Sequence, residues 1–260
     1  MSKTNSTLIW DKVATSFSKS GNDYWNRFGE KLVSFSDIKL NSIILDIGFG
    51  RGASLFPAIR KVGVNGKVIG IDISNEMIKE TYKDIKNNKF NNVELINMNI
   101  NNLTFPNNYF DNVLCGFSIE VNENNLNEIF RILKNNGKLN ISIWGIQLNQ
   151  QWLNAIVNKY LHVKNNIKKV ANYNDLLNSV GFTSIEIIQC LEKVIYKTKD
   201  DWWNEMNSNA FRNIIDAVSN LGLEKFHSFK SDIYDALENF YDEDNLVFEM
   251  PVIYISAKKY

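Results

Sequence analysis

Ile44-Leu45-Asp46-Ile47-Gly48-Phe49-Gly50-Arg51-Gly52-Ala53 is the stretch from which the rest of the chain can be read. A buried strand ends in a carboxylate two residues before a glycine turn, and a helix follows. Glycines let the turn adopt positive φ and let a ligand approach the backbone. The helix N-terminus then presents free N–H groups to an anionic group such as a carboxylate or phosphate. Ligands of open α/β sheets bind at such carboxyl edges.

Outward from this turn the same pattern repeats. Apolar runs at Ile43–Ile47, Lys67–Ile71, Val93–Asn97, Asn112–Gly116 and Gly137–Ile143 read as strands. Ser54–Lys61, Glu76–Asn87 and Asn124–Leu133 read as helices between them, the last closed by Asn135-Asn136-Gly137. The spacing predicts an α/β, doubly wound, Rossmann-like sheet. After Trp144 the rhythm breaks. Residues 149–161 place Trp152, Ile156 and Tyr160 on one helical stripe. A short helix near Asn174–Val180 ends at Gly181, and Phe182–Leu191 reads as a strand. Residues 200–241 form a second helical insertion, with Trp203, Met206, Ala210, Ile214, Val218 and Leu221 at helical spacing, before Leu246–Ala257 returns to strand. An aromatic segment (Trp10, Phe17, Tyr24, Trp25, Phe28) precedes the sheet.

Composition narrows the classes of partner. The 260 residues suit one domain carrying insertions. Lys+Arg and Asp+Glu balance at 29 each, so the chain lacks the broad basic field of a nucleic-acid binder. Cys115 and Cys190 are too few and too far apart for a redox pair or a zinc site. No run of 18 apolar residues and no apolar leader occurs, so a soluble, cytoplasmic protein without stable membrane insertion is expected. Asn is in excess, 39 residues, spread between ordered apolar segments rather than gathered in one tract.

The chemistry of the turn is ambiguous until its acids are weighed. Gly48-x-Gly50-x-x-Ala53 also satisfies a dinucleotide fingerprint, and Asp72, ending the second strand, suits ribose hydroxyls in either case. Asp46 beside the turn would repel a pyrophosphate but attract an ammonium group. A molecule with an amine and a carboxylate near the turn, and a ribose reaching Asp72, is required. S-adenosylmethionine has that layout.

In its successive motifs the chain resembles the class I S-adenosylmethionine-dependent methyltransferases. Ile44–Ala53 matches the family's glycine motif, and Val68–Met77 its acidic motif. Asn97–Asp111 resembles its adenine-side loop, Val113–Val121 and Ile129–Trp144 its fourth and fifth strand units. Within that family the chain is most similar to the ubiquinone- and menaquinone-biosynthesis group of small-molecule enzymes. The resemblance implies a seven-stranded, mostly parallel sheet with the last strand antiparallel. It implies a core of 43–146, 173–196 and 244–260, with helical lid elements at 1–42, 147–172 and 197–243.

Carried over by motif, Asp46, Gly48, Phe49, Gly50, Arg51 and Gly52 hold the methionine end of the cofactor. Asp72 holds the ribose, Ile73 and Met77 flank the adenine, Asn99 with Ile100 meets its edge, and Phe117 follows the fourth strand. Asn99 stands where relatives usually carry Asp, and Arg51 where a small polar residue is commoner; Arg51 could pair with the cofactor carboxylate.

Methyl transfer from a sulfonium is an in-line displacement on an activated methyl group, so alignment and exclusion of water are the main tasks. A base is needed only if the acceptor loses a proton. Glu120 and His162 are the candidates, with His227 behind them; Tyr24, Trp25 and Trp152 are candidates for the acceptor pocket. No metal set can be assigned. The acceptor is expected to be a small molecule, and the protein a monomer or homodimer. Two other readings stay open: a non-catalytic S-adenosylmethionine-binding protein, and an NAD(P)-dependent short-chain dehydrogenase suggested by Tyr160-x-x-x-Lys164.

Overall fold

A computed structural model describes residues 5–19, 23–147, 150–162 and 172–260. Lys164 and part of the expected 147–172 segment lie outside the described residues.

Strands β1 (Ile43–Ile47), β2 (Lys67–Asp72) and β4 (Phe110–Gly116) are near-continuous apolar runs because both of their faces are covered. With β3 (Val93–Asn97), β5 (Leu133–Trp144), β6 (Phe182–Tyr196), β7 (Tyr241–Asp242) and β8 (Asn245–Lys259) they form one sheet. Its order is β3-β2-β1-β4-β5-β8-β6; β1 to β5 are parallel and β8 runs antiparallel to β5. The order reverses between β1 and β4, which puts the ends of β1, β2 and β4 at one crevice. The sheet has eight strands, not seven. The extra one, β7, is a two-residue hairpin arm on β8, pairing Tyr241 with Leu246 and Asp242 with Asn245, too short to show alternation in sequence.

Two groups of residues cluster separately. The first comprises residues 23–144, 172–190 and 252–260. One sheet face carries Leu45, Ile47, Ile69, Ile71, Val113, Cys115 and Ile141 into a fully apolar layer. Helix α5 (Glu123–Ile132) adds Leu126 and Ile129 to it, and α7 (Tyr173–Val180) adds Leu177. Helices α2 (Tyr24–Phe35), α3 (Leu55–Val62) and α4 (Asn75–Asn87) complete this group. Helix α5 ends earlier than its sequence suggests. Leu133 is already extended, and Asn136 takes positive φ in an irregular start to β5.

The second group comprises the described residues within 1–22, 145–171 and 191–251. It holds α1 (Asn5–Val13), α6 (Gln151–Leu161), α8 (Lys199–Asn207), α9 (Arg212–Ser219) and α10 (Leu223–Leu237). The stripe read across 200–221 does not form one helix. Asn209 Oδ1 accepts the Phe211 N–H at 2.8 Å, a local turn that separates α8 from α9. Thr198 and Asp201 start α8 with a reciprocal capping box. Trp202 and Trp203 are buried, and Trp203 packs against Phe226, Phe229 and Tyr234.

The Asn excess has a structural use. Asn122 and Asn172 cap α5 and α7, accepting N–H groups of Asn125 and Asp175. Asn41, Asn108 and Asn136 occupy left-handed positions that a polar side chain tolerates. No helix among the described residues is long and apolar enough to cross a membrane.

Candidate active site

Asp46, the penultimate residue of β1, sits between Gly70 of β2 and Leu114 of β4 and is fully buried. Its Oδ2 accepts the Ser54 hydroxyl at 2.7 Å, while Oδ1 has no hydrogen-bond partner among the described residues. Burial pushes its carboxyl up to about 7, against the lowering effect of the Ser54 bond and with a further push from Asp72. A buried acceptor left open at the mouth of a glycine turn is a position made for a donor, and a cation is the donor that suits a carboxylate best.

The turn itself is fixed from three sides. Gly48, at φ 66°, admits no side chain: a Cβ there would lie 2.4 Å from the Ser118 Cβ. Ser118 reaches over from the end of β4 and donates to the Ile47 carbonyl. Asp72 accepts the Gly50 N–H at 3.0 Å through Oδ2 and the Ser74 N–H at 2.9 Å through Oδ1. Helix α4 supplies the third hold, because Thr81 Oγ1 donates to the Gly50 carbonyl at 2.8 Å. One helical turn on, Asp84 pairs with the buried Arg51. The Arg51 guanidinium thus also ties the turn to α4. From the other side, Gly29 of α2 lets that helix meet the Ala53–Ser54 backbone directly, since a Cβ would fall 2.1 Å from the Ala53 carbonyl oxygen.

The remaining cofactor candidates line up along the same edge. Ile73 is half-buried, and Met77 is buried with its N–H on the Ser74 cap of α4. Asn97 donates to the Asp72 and Ile73 carbonyls, tying β3 to the β2 end. Exposed Asn99 caps the short 3-10 turn Ile100–Asn102 by accepting the Asn101 N–H at 2.9 Å. An aspartate would do the same, so the amide preserves the local geometry. Phe49 is buried, with its ring lying over Gly70.

Beyond β4 and β5 lies a cluster of rings. Phe117, at φ 54°, packs on Trp144 at 4.5 Å between centroids, and Trp25 and Phe28 of α2 close on both. Tyr24 is buried behind Trp25. Trp152 belongs to the helical group, between Trp202 and Phe240. Glu120 is exposed just past β4. Exposed His162 caps α6 in a left-handed conformation, and His227 is exposed on α10. Sequence reading passed over Ser54, Thr81, Asp84 and Ser118. Only the i, i+3 spacing of Thr81 and Asp84 on one face of α4 offered a signal.

The dehydrogenase reading finds no support in Tyr160. Its hydroxyl donates to Asp232 at 2.7 Å, and burial followed by that bond raises its pKa, opposite to the lowering such catalysis needs. Among the described residues no group of three or more His, Cys, Asp or Glu is placed to hold a metal ion.

The family model described as "Methyltransferase domain" matches residues 38–209, about two thirds of the chain. The chain belongs to this methyltransferase family. Aklanonic acid methyltransferase of a Streptomyces species is 36% identical over 113 residues, covering 44% of this chain and 51% of that protein. The ubiquinone/menaquinone biosynthesis C-methyltransferase of Salmonella arizonae is 33% identical over 119 residues, covering 44% and 46%. The chain thus spans about half the length of these curated relatives. Among solved structures, phosphoethanolamine N-methyltransferase 2 of Haemonchus contortus, in complex with S-adenosylhomocysteine, shares the fold. The TM-score is 0.57 at 19% identity, covering 97% of this chain and 56% of that one.

Proposed function

We propose that the protein transfers a methyl group from S-adenosylmethionine to a small-molecule acceptor. The open Oδ1 of Asp46 beside the glycine turn carries this reading. It asks for a cation next to a site for an anion, and the α-amino-acid end of S-adenosylmethionine has both. The buried acceptor and the restrained turn fit this cofactor; a pyrophosphate would bring no cation to the open Asp46 oxygen. Relatives named for methylating aklanonic acid and for ubiquinone/menaquinone biosynthesis support a small-molecule acceptor. So does the neutral charge balance.

When bound, the cofactor supplies a sulfonium-activated methyl group. Asp46 would take its ammonium group, and the N–H groups at the start of α3 would take its carboxylate. Asp72, the acid that ends β2, would accept from ribose hydroxyls. Ile73 and Met77 would flank the adenine, and Asn99 and Ile100 would meet its edge. The Trp25, Phe28, Phe117 and Trp144 rings exclude water on the acceptor side. Where an acceptor must shed a proton, Glu120 is the base nearest in sequence to β4; His162 is the second candidate.

The test is a tritiated-methyl assay on a panel of small hydroxyl, amine and carbon acceptors. Radiolabelled product together with S-adenosylhomocysteine is the expected result. Binding of S-adenosylmethionine with no transfer to any acceptor favours a non-catalytic binding protein instead. Asp72→Ala should weaken cofactor binding more than tenfold while the fold persists; unchanged binding by calorimetry removes Asp72 from the site.

A further inference from the structure

Asp46 is an unusual residue to meet a cation in its charged form. It has zero exposure, one hydroxyl donor on Oδ2 and nothing on Oδ1 among the described residues. The elements around it bring no positive charge to it. Strand β2 ends in another acid, Asp72; β4 offers Cys115, a thiol that burial keeps neutral; α3 offers only Ser54. The cation nearest in sequence, Arg51, is committed to Asp84 of α4. A carboxylate so placed would be buried beside a second carboxylate with a single hydrogen bond, which costs more than holding its proton.

We propose that cofactor capture by this protein is coupled to proton release: Asp46 is a neutral acid in the free protein and becomes a carboxylate as the ligand's ammonium arrives. The inference rests on the cofactor reading above and adds the regulation of that site. The proton leaves the Asp46 carboxyl for the buffer, and the ligand's amine keeps its own proton, so the bound pair is ammonium and carboxylate. The upward push of the Asp46 carboxyl to about 7 places the effect near neutrality. The sign follows. Below pH 7 binding must first remove a proton, so affinity falls as the pH falls; above it, that cost disappears. The protein therefore holds its cofactor less tightly as the pH falls below 7.

The test uses S-adenosylhomocysteine, which carries the same amino acid and ribose but no transferable methyl group. Calorimetry is run on the full chain at pH 6 and pH 7 in buffers of different ionisation enthalpy. The expected results are an affinity about fivefold higher at pH 7, and release of nearly one proton at pH 6. Asp46→Asn should bind more weakly with no pH dependence over this range and no proton release. Infrared difference spectra of the wild-type protein should lose a protonated-carboxyl band on binding, a readout independent of how the variant folds. Binding with equal affinity at both pH values and no released proton overturns the inference and leaves the cofactor reading standing. Proton release that persists in Asp46→Asn also overturns it, because another group is then responsible. Absence of binding at every pH contradicts the cofactor reading and takes this inference with it.

Discussion

At the scale of single residues, the turn after β1 shows why particular side chains are required. Gly48 combines positive φ with a neighbour, Ser118, that leaves no room for a methyl group. Gly48→Ala should therefore lower stability by about 1–3 kcal/mol and abolish measurable cofactor binding. The double variant Gly48→Ala/Ser118→Gly should recover part of the binding, because it removes the clash and keeps the strain. Thermal unfolding and calorimetry check both. Asp46 makes a second prediction, on stability. Its folded-state carboxyl lies near 7, well above the 3.8 of an ordinary aspartate. The folded protein therefore binds more protons than the unfolded chain between these values. The contribution of Asp46 to stability is complete below about pH 4 and is lost as the pH rises toward 7, by at most about 4 kcal/mol. Asp46→Asn should flatten that part of the curve of unfolding free energy against pH. A wild-type curve without this decline, or a variant that retains it, contradicts the assignment.

At the scale of elements, α4 matters more to the turn than its polar sequence suggests. Thr81 bonds the Gly50 carbonyl and Asp84 holds Arg51, so one face of the helix restrains two consecutive turn residues. Thr81→Val removes a single hydrogen bond with little change of volume. It should raise the dissociation constant for S-adenosylhomocysteine about three- to tenfold and lower the unfolding temperature by no more than a few degrees. An unaltered constant would mean that the turn holds its shape without α4. This restraint was hard to read in sequence. Thr81 and Asp84 are polar residues on a helix most of whose other polar residues face solvent, and only their i, i+3 spacing hinted at a shared face. Arg51 has a partner that its place in the glycine motif did not signal: Asp84, 33 positions further along the chain. Asn99 was the easier case, since an amide caps a turn as a carboxylate does.

At the scale of the whole molecule, the sheet was legible because buried parallel strands are nearly all apolar and glycine turns mark their ends. β1 and β3 lie where those runs stand, and α7 stops at Gly181 as its sequence indicates. The helical group was less legible. Apolar residues keep helical spacing from Trp203 to Leu221 although the chain turns at Ser208–Phe211, because each short helix faces its own neighbours. The Asn209 turn that breaks it is one Asn among 39. Breaking that turn has a global consequence: Asn209→Ala should lower the unfolding temperature by a few degrees, from the loss of one Asx-type bond worth about 1 kcal/mol. Cofactor affinity should stay as it was. A large drop in affinity with no change in unfolding temperature would contradict the structural role given to Asn209.

The central claim is that the turn after β1 was built for an amino-acid-bearing nucleoside and not for a dinucleotide. Calorimetric titration of the full chain with S-adenosylmethionine, and in parallel with NAD and NADP, tests it most directly. The expected outcome is one S-adenosylmethionine bound per chain, weakened by Asp46→Ala and by Asp72→Ala, with no heat from either dinucleotide. Saturable binding of NAD or NADP without binding of S-adenosylmethionine would contradict it.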